Sequence, residues 1–532
     1  MKKLIKKLLY LIVNLGCNYT WKEITNNLGL LKKKNIRYLL YERLIPKMRF
    51  ELFWKKIIEQ LKSEDLKSIE SIFNIIDDES KFILSKLLYF AGLYGDETTK
   101  MVLQFAKETT NIDYRYWTTQ DISRFTFLLQ SGFYPEYYND RRELLKQVAI
   151  DMRLTIPKKR QEESDKLCIV THLLADSEKN SVQRCVDMIS KGLLPCFSEI
   201  QVFPLDVFSP GKKELNELTT VLPYKPSIYE KKDIQQLLPD GVKVHYPEGE
   251  NYKEKAQDVL NSIYAFNPCV ILDMSDEYSA ISYHYSKDFF TLYLPLRDTN
   301  SSLFFNAIVG APKWKFHESN LKFNSVDIKM VKEWNFPEYV PSRIKHHNRE
   351  SLEIAKDAFV IISIGNNSTT FTKEFIDEMC SLVADHNFIW LLVGQDAPEY
   401  MKNTYKNLYE KHLIIEHGYE QNLYSICTLC NVHVRPNMTG GSGATAIAAM
   451  AGLPIAMTNY LCDPSRWLGV DFHSDISTYR DLKNYIVELS VNKDFYNSEK
   501  NKVLSLINDA IDTPEKWKAL AQILKGEDEH DK

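Results

Sequence analysis

"VRPNMTGGSGATAIAAMAGLPIAM", Val434 to Met457, is the stretch on which the fold turns. Val432 and Val434 belong to a buried strand that Pro436 ends. Thr439-Gly440-Gly441-Ser442-Gly443 then forms a flexible loop, and Ala444 to Ala451 reads as a helix with Ile447, Met450 and Ala451 on one face. Gly452 suits the position just past a helix end, and Leu453-Pro454 begins the next strand. Glycines let main chain approach a ligand closely, and a helix start presents unpaired N–H groups with partial positive charge. The loop therefore reads as a phosphate cradle, with a tight turn that binds nothing as the alternative. No Lys-Ser/Thr follows the last glycine, so it is not a Walker loop, and it is not GxGxxG.

The same alternation runs outward in both directions. From about Ser351, "DAFVIISIGNNSTTFTKEFIDEMCSLVADH" reads as strand, loop and helix, "NFIWLLVGQ" as strand and turn, and "HLIIEHGYEQNLYSICTLC" as strand, turn and helix. An earlier block starts near Asp165. "KLCIVTHLLAD", "FSEIQVFPLDV", "GVKVHYPE", "CVILDMSDEYSA" and "FFTLYLPLRD" read as strands, with "NSVQRCVDMISKGL" and "AQDVLNSIYAFNP" as helices. Strands alternating with helices imply parallel sheets covered on both faces. The fold class expected is therefore α/β, with two facing Rossmann-like domains at 165–312 and 351–490. A linker at 313–350 joins them, an all-α N-terminal domain at 1–160 precedes them, and helices and a tail at 491–532 follow. Two such domains with facing strand ends suit a large two-part substrate.

Composition fits a globular chain of several domains: 532 residues, 44% hydrophobic, 26% charged. A net charge of −4 argues against a nucleic-acid binder. Nine scattered cysteines form no disulfide or zinc framework and suggest a reducing compartment, and Cys427 and Cys430 read as buried helix residues. The start, "MKKLIKKLLYLIVNLGC", reads as a basic amphipathic helix packed on its own domain, with a membrane surface and a signal segment as alternatives. Nowhere is there a run of the roughly 20 apolar residues that a spanning helix needs. The expectation is a cytoplasmic protein, with peripheral membrane contact through that helix as a further option.

With these pieces in place, the block from about 356 to 490 resembles the donor-binding domain of GT-B glycosyltransferases, most like the group-1 (family 4) type. The matching pieces are Pro436-Asn437, the loop Gly440 to Gly443, and "AAMAGLP" at 448–454. The family's first glycine loop resembles Ile364-Gly365-Asn366-Asn367, and its turn toward the nucleotide base resembles His417-Gly418-Tyr419. The resemblance implies transfer of a sugar from a nucleotide-diphosphate donor to an acceptor hydroxyl, with no cofactor and no bound metal. It implies donor contacts at Gly365, Asn366, Asn367, His417, Gly418, Tyr419, Thr439, Gly440, Gly441, Ser442, Gly443 and Ala444.

Departures from the family pattern keep alternatives open. The family's two glutamates fall here on Gly440 and Ala448, and its basic phosphate residues are replaced by Asn366 and Asn367. Lys373 and Arg435 stand in as candidate cations, with Arg466 as another; a structural salt bridge is the alternative for Arg435. On the acceptor side, His172, Asp273 and Asp276 follow strands and are the candidate catalytic bases, with loop capping and solvated charge as the plainer readings. The acceptor is a carbohydrate, a lipid-linked sugar or a protein. A protein partner is a further expectation, because an inactive GT-B-like scaffold is one rival reading and a sugar-nucleotide epimerase the other.

Overall fold

The computed structural model describes scattered positions from 69 to 88, then 96–119, 136–171, 174, 181–205, 238–249, 252–275, 280–294, 304–310, 331–341, 347–365, 370–394, 396–438, 441–460, 462, 464–469 and 471–527, apart from 113, 117 and 335. The basic N-terminal helix expected from the sequence lies outside these residues. No helix among them is long and apolar enough to cross a membrane.

Two helices come first, α1 (Asp96–Glu108) and α2 (Glu136–Asp151). The first sheet takes β1 (Lys166–Thr171), β2 (Glu199–Pro204), β3 (Val242–Val244), β4 (Val270–Met274), β5 (Phe290–Tyr293), β6 (Ala307–Gly310) and β7 (Val331–Glu333). Helices α3 (Ser181–Leu193), α4 (Tyr252–Phe266) and the short α5 (Ser282–Tyr285) lie between them in the chain. All seven strands are parallel, in the order β3-β2-β1-β4-β5-β6-β7. β1 and β4 read as almost unbroken apolar runs because both faces are covered. Asn267, left-handed at φ 52°, ends α4 where the sequence places Asn-Pro.

The second sheet takes β8 (Val360–Gly365), β9 (Ile389–Gly394), β10 (Ile414–Gly418), β11 (Val432–Val434) and β12 (Ile455–Ala456), again all parallel, in the order β10-β9-β8-β11-β12. Its helices are α6 (Lys373–His386), α7 (Glu399–Thr404), α8 (Lys406–Glu410), α9 (Leu423–Cys427), α10 (Ser442–Met450), α11 (Ser465–Leu468), α12 (Tyr479–Val491) and α13 (Lys493–Ala510), with α14 (Pro514–Lys525) last. Thr372 caps α6, its hydroxyl accepting from the Phe375 amide, and Thr478 with Asp481 forms a reciprocal capping box on α12. Gly452, at φ 82°, follows the end of α10 as its left-handed position requires.

Three differences from the sequence reading have clear physical reasons. The stretch read as linker supplies β7, whose three residues are too few to show a period. The helices ahead of the first sheet share its core: Val102 and Leu145 are buried in one cluster with Val170, Leu260 and Ile271. The segment read as a C-terminal tail divides between the two sheets. Val503 and Ile507 of α13 join the second sheet's core, while Trp517 and Leu520 of α14 join the first. Gly192 of α3 permits that docking, since a Cβ there would stand 2.2 Å from the Trp517 indole. Cys427 and Cys430 are buried free thiols, as expected, although only Cys427 lies in a helix and Cys430 follows its end.

Candidate functional site

In each sheet the chain reverses direction at one pair of neighbours, β1 and β4 in the first, β8 and β11 in the second. Open parallel sheets bind ligands at such points, beyond the carboxyl ends of the strands. The glycine loop of Thr439–Gly443 leaves from the end of β11, so the sheet topology puts it at the second of these places.

Arg435, the first residue after β11, is only 3% exposed. Its Nη1 donates to the Gly441 carbonyl at 3.2 Å and to the Thr445 hydroxyl at 2.8 Å, and its Nη2 donates to the Met438 carbonyl at 3.2 Å. The guanidinium therefore stands behind the loop and holds its shape, rather than facing a ligand from it. Charge-assisted bonds to main-chain carbonyls make this a strong brace. Below it, His433 is buried, with Nδ1 at 3.2 Å from the Ile362 carbonyl and Nε2 at 3.4 Å from Thr445 Oγ1. Burial, together with the nearby charge of Arg435, pushes the His433 pKa down to about 3, against the pull of the Ile362 carbonyl.

Gly441 sits at φ 94°, and a Cβ there would come within 3.0 Å of Arg435 Nη1, so only glycine fits. α10 starts immediately after. Among the described residues no acceptor is paired with the amides of Ser442, Gly443 or Ala444. A Cβ on Gly443 would meet nothing within 4 Å, which leaves the helix start open. The alanines of α10 let it lie close to the sheet; Ala446, Ala448 and Ala449 are buried. Thr439 and Gly440 lie outside the described residues, as does the side chain of Arg466.

Three residues that the sequence reading missed organise this corner. Ser442 donates its hydroxyl to the carboxylate of Glu338 and accepts from the Trp467 indole at 3.2 Å. Glu338 is itself held by main-chain bonds to Ala510 and Asp512. The Tyr479 hydroxyl accepts from the Asn437 amide at 3.0 Å and its ring lies 5.1 Å from that of Phe375, so it ties the glycine loop to the start of α6. These residues are remote in sequence from the loop, and no local motif marks them.

Gly365, at φ 142°, ends β8, and its neighbour Gly394 is required by it: a Cβ at 394 would stand 2.2 Å from the Gly365 carbonyl oxygen. Asn366 and Asn367 lie outside the described residues. Lys373 is exposed at the start of α6, its ammonium 5.4 Å from the Tyr400 ring centroid.

His417 and Gly418 close β10, with Gly418 at φ 77° as the turn requires. Tyr419 is 58% exposed. His417 Nε2 lies 3.2 Å from Glu420 Oε2, and His347 Nε2 lies 3.0 Å from the same oxygen. Burial raises the pKa of Glu420, but the Asn422 amide and the two histidines outweigh it, and the net shift is downward. These three are the described side chains grouped so as to hold a metal ion.

At the first sheet's reversal point, Asp273 corrects an expectation. It is fully buried. Its Oδ1 accepts from the Ser275 amide at 2.8 Å and the Ser275 hydroxyl at 2.5 Å, and its Oδ2 accepts from the Tyr285 hydroxyl at 2.7 Å. Burial pushes its pKa upward against those three bonds. A carboxylate enclosed in this way braces the end of β4 and cannot reach an acceptor hydroxyl as a base. The other two candidates, His172 and Asp276, lie outside the described residues.

No family model matches the sequence, and no curated protein matches it. Solved structures do. A variant of the O-GlcNAc transferase of Thermobaculum terrenum superposes with a TM-score of 0.51 at 10% identity, over 89% of this chain and 98% of that one. A glycosyltransferase from Rickettsia africae superposes with a TM-score of 0.50 at 11% identity, over 69% of this chain and 100% of that one. The chain has the GT-B fold. Its first sheet is the N-terminal GT-B lobe and its second the C-terminal lobe. The crossing of α13 and α14 from the second lobe to the first thus belongs to a two-lobed GT-B architecture.

Proposed function

We propose that this chain is a glycosyltransferase that moves a sugar from a nucleoside-diphosphate donor to an acceptor hydroxyl. One observation carries the reading: the start of α10, where among the described residues no acceptor pairs with the amides of Ser442, Gly443 and Ala444, stands at the reversal point of the C-terminal GT-B lobe. Two phosphates suit this place because the amides and the helix dipole supply fixed positive charge without reorganisation. Thr439, Gly440 and Gly441 complete the cradle. Arg435 holds it from behind, so its role is positioning. Gly365, Asn366, Asn367 and Lys373 line the neighbouring loop, which Tyr479 ties to the cradle. The turn His417-Gly418-Tyr419 receives the base.

The mechanism is chiefly electrostatic. As the bond from sugar to diphosphate breaks, charge gathers on the departing phosphate oxygen, and the α10 amides stabilise it. An acceptor hydroxyl held on the N-terminal lobe attacks the sugar carbon, and its proton passes to a base there, for which His172 and Asp276 are the candidates. Carbohydrate, lipid-linked and protein acceptors all share this hydroxyl chemistry. No metal takes part in these steps. The test is a panel of nucleotide sugars scored by thermal stabilisation of the full chain. A donor that stabilises the wild type and not Gly443→Asp supports the reading; uniform silence across the panel sinks it.

A further inference from the structure

We propose that His347, His417 and Glu420 form a zinc site that clips the interlobe segment to the end of β10. His347 lies just before the C-terminal lobe's first strand, and 73 positions separate it from Glu420. Their ligand atoms all lie within 4.8 Å of one another, and both histidines aim Nε2 at one oxygen, Glu420 Oε2, at 3.0 and 3.2 Å. In a tetrahedral zinc site with bonds near 2.0–2.1 Å, neighbouring ligand atoms stand about 3.3–3.4 Å apart. The two observed separations are close to that edge, so an ion needs only a small outward movement of three side chains.

The groups that would hold the ligands in place are already present. The Asn422 amide donates to Glu420 Oε1 at 2.6 Å, which turns Oε2 toward the histidines. The His347 amide donates to Ser425 Oγ at 3.0 Å. Two residues on, Arg349 is anchored by bonds to the Leu429 and Ala358 carbonyls at 3.0 and 2.8 Å. The side chains are 25%, 20% and 13% exposed, enough to admit an ion and a water as fourth ligand. Such outer contacts orient ligands in metal sites. Each Nε2 faces a carboxylate oxygen, which only accepts, and so donates a proton to Glu420. On binding zinc each neutral ring keeps one proton, moved to Nδ1, and offers the Nε2 lone pair. Two imidazoles and one carboxylate are ligands that zinc accepts. The ion would serve as a clip that stiffens the turn at Gly418, the turn that the proposed function gives to the donor's base, and would take no part in the chemical step.

The experiment uses the full chain, stripped with a chelator and titrated with zinc sulfate. Expected are one zinc per chain, an absorption spectrum at the zinc edge fitted by two imidazoles with oxygen and no sulfur, and an unfolding midpoint raised by a few degrees. His417→Ala and His347→Ala are expected to weaken binding roughly 100-fold or more. Glu420→Gln keeps an acceptor for the Asn422 amide, so it folds while binding zinc more weakly. Absence of saturable binding, equal zinc content in the histidine variants, or sulfur in the coordination shell, given the free cysteines of the chain, overturns the proposal.

Discussion

The hydroxyl of Ser442, at the start of α10, donates to the carboxylate of Glu338, 104 positions earlier in the chain. Glu338 belongs to neither sheet, yet its main chain is bonded to Ala510 and Asp512. One residue thus joins the interlobe segment, the C-terminal crossing and the proposed phosphate cradle, the last through its carboxylate. A hydrogen bond to a charged group is worth about 1.5–3 kcal/mol, and residues in direct contact do not add. Ser442→Ala and Glu338→Gln, combined in a double-mutant cycle of unfolding free energy, are expected to show coupling of about 1–2 kcal/mol. Additive losses would count against the contact.

The same carboxylate adds negative charge where the diphosphate would lie. Glu338→Gln removes that charge and keeps the shape. Binding of a free nucleoside diphosphate, measured by calorimetry, is expected to tighten roughly three- to tenfold. Weaker binding in this variant would place the phosphates elsewhere.

Gly443 separates binding from folding. Substitution at Gly441 strains the backbone at φ 94° and presses on Arg435, so a loss there says little about ligands. Gly443 has open space beside it and ordinary helical geometry. Gly443→Ala is expected to leave stability equal or higher by up to about 1 kcal/mol, since alanine favours helix. It would also put a methyl group among the phosphate-binding amides and lower donor affinity at least tenfold. Unchanged affinity in a stable Gly443→Ala protein sinks the cradle.

Gly192 offers a test of the C-terminal crossing. With a Cβ 2.2 Å from the Trp517 ring, Gly192→Ala must push α3 and α14 apart. The expected cost is about 1–3 kcal/mol in chemical denaturation, as for other overpacked cores. Trp517→Leu makes room, so adding Gly192→Ala to it is expected to cost under about 0.5 kcal/mol. An equal cost in both backgrounds would show that the indole is not the obstacle.

What the sequence disclosed depends on range. β1, β4, β8 and β9 were legible because both-face burial leaves a run of apolar residues bounded by polar loops. The helix after the glycine loop was legible from its alanines and Gly452. β7 was not, since three residues carry no period. The sequence puts Arg435 beside the loop, but its direction depends on Thr445 and the carbonyls of Met438 and Gly441, which only the folded turn brings around it. Asp273 looked like a loop carboxylate; Tyr285, which encloses it, comes from a helical turn with no motif. Glu338, Tyr479 and the meeting of His347 with Glu420 arise from contacts across dozens of residues, and spacing along the chain does not encode them.

His433 makes the cradle sensitive to acid in a way whose sign is fixed. Its folded pKa of about 3 lies below the roughly 6.5 of a free histidine. Below pH 6.5 the unfolded chain takes up a proton that the folded ring refuses. The stability that His433 contributes is therefore complete above pH 6.5 and is lost as pH falls from there toward 3. Between pH 7 and pH 5 the loss amounts to about 2 kcal/mol. His433→Gln offers a donor for the Ile362 carbonyl and has no proton to gain. The other described histidines with a lowered pKa, His284 and His473, are common to both proteins and cancel in the comparison. Denaturant unfolding at the two pH values is expected to show the variant losing about 2 kcal/mol less than the wild type on acidification. Equal losses would mean that the ring is already protonated in the folded protein, and the neutral histidine behind Arg435 would have to be abandoned.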